Sequence, residues 1–217
     1  MKKNNLEIIQ KIQIAKQKQK LGKFEEAEKI YQELLFINND SFDLNFSYAL
    51  FCKDLKKFLL AKKLLVNLTK KFPSIINPYI SIAEILRIEN RFEEAEKVLL
   101  IAKNIDSSNS DLMYNFSLLY SSTKKYDLSL NYINKAIDLS NNIDIYKILK
   151  ADVLIRSGQL DKALLILKIL KNSIINTKQL QINILISEIY TRNKNFSEAE
   201  NVLLQIVKNY SNSKIGY

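Results

Sequence analysis

An all-α fold, an α-solenoid of stacked antiparallel helix pairs, is predicted by three observations. The hexapeptide Phe24-Glu25-Glu26-Ala27-Glu28-Lys29 recurs letter for letter from Phe92 to Lys97, 68 residues later. At half that interval, 34 residues, a bulky apolar residue followed three on by a small one returns as Phe58 with Ala61, Tyr126 with Ser129 and Leu160 with Ala163. After two extra residues it returns once more as Phe196 with Ala199. The composition agrees: 217 residues, 47% of them apolar, with three Gly and two Pro, describe an ordered helical chain rather than a disordered or β-rich one. A fixed period of this length marks a repeat array whose units bury their apolar faces only against their neighbours.

The 34-residue period, with a small residue twenty positions into each unit, resembles the tetratricopeptide repeat family. Six units fall at residues 8–41, 42–75, 76–109, 110–143, 144–179 and 180–213, read as one solenoid domain over 1–217, with the start of a seventh at 214–217. The small residue that the family places at position 8 is Ala15, Ala49, Ala83, Ser117, Ala151 and Ser187. The large apolar residue at position 24 is Tyr31, Leu65, Leu99, Ile133, Leu167 and Leu203. Two departures stand out: of the prolines favoured at position 32 only Pro73 is present, and of the aromatics at position 4 only Tyr79. The resemblance implies a right-handed superhelix in which small residues at positions 8 and 20 let paired helices approach. Bulky residues at 17 and 24 fill the space beside them.

The boundaries of the helices follow from local chemistry. Polar clusters, Asn39-Asp40-Ser41, Ser107 to Ser110 and Asn141-Asn142, supply N-caps for the next first helix. The turn inside each unit falls near position 15, where Gly22, Asn90 and Gly158 suit a left-handed residue and Lys56, Lys124 and Lys194 suit it less well. The acids of the FEEAEK segment read as a solvated first turn favoured by the helix dipole. Lys178 and Gln179, the two extra residues, lengthen the loop before the last unit.

Several function classes are set aside by what the chain lacks. It has no histidine, the commonest general base and metal ligand, and its glycines are isolated, so no phosphate-cradling loop or nucleophile elbow is present. No catalytic residue, cofactor or metal is expected. The most apolar runs are interrupted by lysine, which predicts no membrane span, and no signal peptide follows Lys2 and Lys3. A lone cysteine, Cys52, cannot staple the chain and suits a core position in a reducing cytoplasm. The net charge of +10 is patchy: residues 42–75 hold seven basic and two acidic residues, residues 76–109 four and six, residues 144–179 seven and three. No continuous basic stripe tracks a nucleic-acid backbone, so nucleic acid is not the expected partner.

In proteins of this resemblance the first helices line a concave groove, with positions 5 and 9 pointing into it. Position 5 is Ile12, Phe46, Ile80, Tyr114, Ile148 and Ile184, apolar throughout; this is either a ladder for a partner's side chains or packing against the neighbouring helix. Position 9 is Lys16, Leu50, Glu84, Leu118, Asp152 and Glu188, and its three acids have Arg87, Arg156 and Arg192 three or four residues on. Such spacing gives an intrahelical ion pair of about 0.3–0.5 kcal/mol. Arginine, unlike lysine, could hold its own acid and a ligand carboxylate together. The Lys/Asn/Arg set with which related modules clamp a chaperone C-terminus is absent, since the corresponding residues are Ile12, Lys16, Ser47, Asn77 and Ser81.

Three readings follow. The first is an interaction scaffold that binds a protein or peptide segment in its groove. The second is the substrate-presenting arm of a larger sulfotransferase or glycosyltransferase whose catalytic domain lies outside these residues. The third is an RNA-associated repeat protein. Tyr217 falls on the aromatic position 4 of a seventh unit with no capping helix after it. That end is therefore expected to be covered by more chain, a partner or a second copy.

Overall fold

The structure, a computed structural model, describes residues 2–140, 143–173 and 178–214. Among these residues the chain forms twelve helices and no strand. They are α1 (Lys2–Lys20), α2 (Phe24–Ile37), α3 (Phe42–Asp54), α4 (Phe58–Lys71), α5 (Asn77–Ile88), α6 (Phe92–Ile105), α7 (Ser110–Ser122), α8 (Tyr126–Leu139), α9 (Asp144–Arg156), α10 (Leu160–Ser173), α11 (Gln179–Arg192) and α12 (Phe196–Lys214). Odd-numbered helices are the first of each pair and even-numbered the second. The packing divides the chain into two compact units, residues 1–107 with α1 to α6 and residues 108–217 with α7 to α12.

Within each unit every helix packs on the next one in the chain, and first helices also touch first helices: α1 with α3, α3 with α5, α7 with α9 and α9 with α11. No such contact joins second helices to one another among the described residues. The first helices therefore form the inner layer of each unit. Burial shows the same asymmetry. Helix α3, between neighbours, buries Leu44, Tyr48, Ala49, Phe51 and Cys52 around much of its circumference. Second helices bury a single stripe spaced four and three residues apart: Ala27, Tyr31 and Leu34; Ala61, Leu65 and Leu68; Ala95, Leu99 and Ala102; Ser129, Ile133 and Ala136.

The small residues do what their size demands. All six at position 8 and all six at position 20 are buried, none more than 7% exposed. Where the fourth unit has serine instead of alanine at both, the hydroxyls satisfy each other: Ser117 Oγ and Ser129 Oγ lie 2.9 Å apart, and Ser129 also donates to the Ser117 carbonyl at 2.8 Å. Position 24 is buried in the first five units, whereas Leu203 is 47% exposed and its neighbour Val202 is buried instead. The cause is that α12 packs only on α11 among the described residues, so the side that faces a following helix elsewhere meets water. Position 17 is part-buried in the second to fifth units, as Phe58, Phe92, Tyr126 and Leu160, and opens to solvent in the first and last, with Phe24 at 40% and Phe196 at 65% exposed.

All six turns at position 15 are left-handed: Gly22, Lys56, Asn90, Lys124, Gly158 and Lys194 have φ between 58° and 82°. In each, the next residue's N–H reaches back across the helix end, as in Lys57 to the Cys52 carbonyl at 2.8 Å and Asn195 to the Tyr190 carbonyl at 2.8 Å. Lysine pays for this conformation through its Cβ, which glycine does not have. Lys56→Gly and Lys194→Gly are each expected to stabilise the chain by about 0.5–1 kcal/mol after the entropy cost of glycine is deducted. Gly158→Ala, whose added methyl meets nothing within 4 Å, is expected to cost a similar amount through strain alone. Urea-unfolding midpoints measure both signs.

Two of the three polar clusters act as caps. Ser41 Oγ accepts from the Leu44 N–H at 3.4 Å and Asn109 Oδ1 from the Leu112 N–H at 3.0 Å. Asn141 and Asn142 lie outside the described residues, as do 174–177, most of the lengthened loop, and 215–217, on which the seventh unit and its uncapped end rest.

Candidate functional site on the first-helix faces

The groove positions separate by burial. In the first unit Phe46 and Leu50 on α3 and Ile80 on α5 are half-buried, and Phe46 stacks on Phe42 with ring centroids 5.5 Å apart. In the second unit Tyr114 and Leu118 on α7 are half-buried, Tyr114 stacks on Tyr146 at 5.1 Å, and Ile184 on α11 is 47% exposed. Two members of the expected ladder leave it. Ile12 and Ile148 are only 4% and 1% exposed, closed over by neighbouring helices, and so present no surface to a ligand. Lys16 is exposed.

The acid–arginine pairs form in two cases out of three. Arg156 Nε donates to Asp152 Oδ2 at 2.8 Å, and Arg192 Nη2 donates to Glu188 Oε1 at 2.6 Å. Arg192 also donates through Nη1 to the Ile155 carbonyl at 3.0 Å, which ties α11 to α9 and commits most of its fork to the fold. Glu84 does not pair with Arg87. Lys53 reaches it from α3 at 2.5 Å, and the Arg87 Nε is buried without a partner. Spacing along one helix cannot register a cation arriving from the adjacent one, which is why sequence alone missed Lys53.

Three more lysines of residues 42–75 have the same explanation. Lys57 pairs with Glu28 at 2.7 Å, Lys62 with Glu89 at 2.7 Å and Lys71 with Asp40 at 2.6 Å, each across a junction between consecutive helix pairs. Cys52 is fully buried, and burial pushes its thiol up to about 11, so it packs as a small apolar residue. Among the described residues no group of three or more His, Cys, Asp or Glu side chains is placed to hold a metal, and no helix is long and apolar enough to cross a membrane.

Solved structures share this architecture. A tetratricopeptide repeat protein of Parabacteroides merdae is 16% identical, with a TM-score of 0.77 over 98% of this chain and 80% of that one. A thermophilic tetratricopeptide repeat protein of Thermus thermophilus is 17% identical, with a TM-score of 0.73 over 85% and 99%. YrrB, a tetratricopeptide repeat protein with an unusual peptide-binding site, is 16% identical, with a TM-score of 0.55 over 82% and 91%. No curated protein matches the sequence significantly. The tetratricopeptide repeat family model matches residues 110–143, the fourth of the sequence-derived units. The chain has the tetratricopeptide repeat fold, with the sequence match to the family in its fourth unit. The fold supports a protein-interaction scaffold generally; here its stacked helices supply an open surface. The surface they supply is an inner layer of half-exposed apolar side chains bordered by ion pairs.

Proposed function

We propose that this chain is an interaction scaffold that binds a polypeptide segment of a partner along its first-helix faces. The observation that carries the reading is the set of incompletely buried apolar groups at positions 5 and 9: Phe46, Leu50 and Ile80 in one unit, Tyr114, Leu118 and Ile184 in the other. These side chains stand on the inner helices, where packing could have covered them as it covers Ile12 and Ile148. A segment that covers them removes apolar surface from water, and Glu84 with Lys53 and Asp152 with Arg156 offer polar groups at the border. The unusual peptide-binding site of YrrB, on a similar stack of helices, supports the same use of the fold.

The test is capture from a lysate of the source cell at low and at raised salt, beside a Phe46→Ser/Ile80→Ser/Tyr114→Ser variant whose helix content is checked by circular dichroism. Partners held at raised salt by the unaltered chain and lost by the variant are expected. Capture that ignores the substitutions, or nucleic acid that washes off as salt rises, overturns the reading.

A further inference from the structure

The turn between the two helices of a pair carries a cation at position 16 in four consecutive units: Lys23, Lys57, Arg91 and Lys125. In residues 1–107 each has a carboxylate. Lys23 meets Glu26 at 3.2 Å, Lys57 meets Glu28 at 2.7 Å and Arg91 meets Glu94 at 2.6 Å. The acids Glu26 and Glu94 lie three residues after their partners, and at the same step after Lys125 the chain has Leu128. Among the described residues Lys124 and Lys125 pair with no carboxylate; the ion pairs of residues 108–217 are Asp152 with Arg156 and Glu188 with Arg192.

Lys124 and Lys125 border a cavity. Lys124, Lys125, Tyr126 and Leu128 from the fourth turn face Arg156 from the fifth around about 510 Å³, with Asp127 the one acid in the lining. With Arg156 paired to Asp152, three cations stand against two acids, Asp127 and Asp152, and the excess of one positive charge rests on the two lysines of a recess of ligand size. Arg156 makes its bond to Asp152 through Nε, so its two terminal nitrogens remain for a second carboxylate in the forked geometry that guanidinium favours. It is also the last residue of α9, where the first-helix face runs into the turn.

We propose that this cavity receives the carboxylate side chains of an acidic partner segment, the same segment whose apolar residues lie on the first-helix face. The inference rests on the scaffold reading and names the chemistry of its partner. Lys124 and Lys125 set the preference for acid, Arg156 joins the acidic subsite to the groove, and Tyr126 and Leu128 give the methylenes of Asp or Glu an apolar wall.

Fluorescence anisotropy on the full chain tests it, with a labelled peptide of Glu-Glu-Leu repeats and its Gln-Gln-Leu counterpart as probes. The charge variant is Lys124→Gly/Lys125→Gln, which keeps a residue suited to the left-handed turn. The groove variant is Tyr114→Ala/Leu118→Ala. The unaltered chain is expected to hold the Glu peptide at least about tenfold more tightly than the Gln peptide, a difference of about 1.4 kcal/mol. The charge variant should lose that preference, and the groove variant should weaken both peptides alike. Equal binding of the two peptides, or a preference that survives in the charge variant, overturns the inference and leaves the groove untouched. A preference lost in the charge variant with no effect of the groove substitutions upholds the cavity and overturns the groove. Tighter binding of a single-stranded uridine oligonucleotide, lost in the charge variant, would overturn it in favour of nucleic acid.

Discussion

Phe116→Ala is expected to lower the unfolding free energy by about 3–5 kcal/mol, the range for emptying a large aromatic site in a well-packed core. Phe116 is fully buried on α7, its ring stacked at 4.7 Å on Tyr132 of α8 and at 6.2 Å on Tyr120, which stands 5.4 Å from Tyr132. Removing it takes the fully buried ring from a three-ring cluster between the paired helices, so both the transfer of its surface and the stacking are lost. The neighbouring Ser117–Ser129 contact opposes a shift of α7 against α8 that would close the space. Phe36→Ala is the matched control: with Phe36 94% exposed, it should stay within about 0.5 kcal/mol of the unaltered chain. Urea titrations give both values, and hydrogen exchange should locate the loss in α7 and α8. A loss at Phe116 below about 1 kcal/mol would mean that the cluster is not part of the core.

What could be read from the sequence, and what could not, follows from the distance over which each signal acts. The small residues at positions 8 and 20 were legible because close helix approach admits few side chains, so Ala95 and Ala151 repeat their meaning unit after unit. The left-handed turn was legible in Gly22, Asn90 and Gly158, and the repeat register extended it to Lys56, Lys124 and Lys194 against their own preference. The site was less legible. Ile12 and Phe46 share a position and a chemical class, yet one is closed over and the other half open, because the difference lies in the helix packed above rather than in the residue itself. Glu84 chose Lys53 over Arg87 for a similar reason. A partner from an adjacent helix, 31 residues away in sequence, competes with one from the same helix, and periodicity describes only the latter. Leu203 shows a third limit, since its position calls for a following helix that α12 lacks among the described residues. Lys125 had its signal in plain sight, the replacement of Glu26 and Glu94 by Leu128 at the same register, but the signal gains meaning only once Lys23 and Arg91 are seen to use those acids.

Stability is expected to be flat from about pH 6 to 8.5 and to collapse between about pH 9 and 12, with buried hydroxyls and the buried thiol as the cause. The chain has no histidine, and so no side chain whose ordinary pKa falls in the neutral range. Burial pushes Tyr31, Tyr48 and Tyr146 from the ordinary 10 up to about 12, and Cys52 from 9 up to about 11. Below the ordinary value both folded and unfolded chains hold the proton, and each group's contribution is complete. As pH rises past it the unfolded chain releases the proton and the folded chain keeps it, so stability falls until the folded group also ionises. Two pH units at about 1.4 kcal/mol each amount to about 2–3 kcal/mol per tyrosine, enough for the three together to approach the whole stability of a small domain. Two substitutions separate ionisation from hydrogen bonding. The Tyr31 hydroxyl is buried without a partner, so Tyr31→Phe should leave stability at pH 7 unchanged or raise it by up to about 1 kcal/mol, and should remove its share of the alkaline loss. The Tyr146 hydroxyl donates to Asp111 Oδ1 at 2.6 Å, so Tyr146→Phe should cost about 1.5–3 kcal/mol at pH 7 before any tyrosine ionises. Urea unfolding of the three chains at intervals from pH 7 to 12 gives the curves. A curve for Tyr31→Phe running parallel to that of the unaltered chain across the alkaline limb would refute the assignment, because it would place the proton release somewhere other than the buried ring that packs α2 against α3.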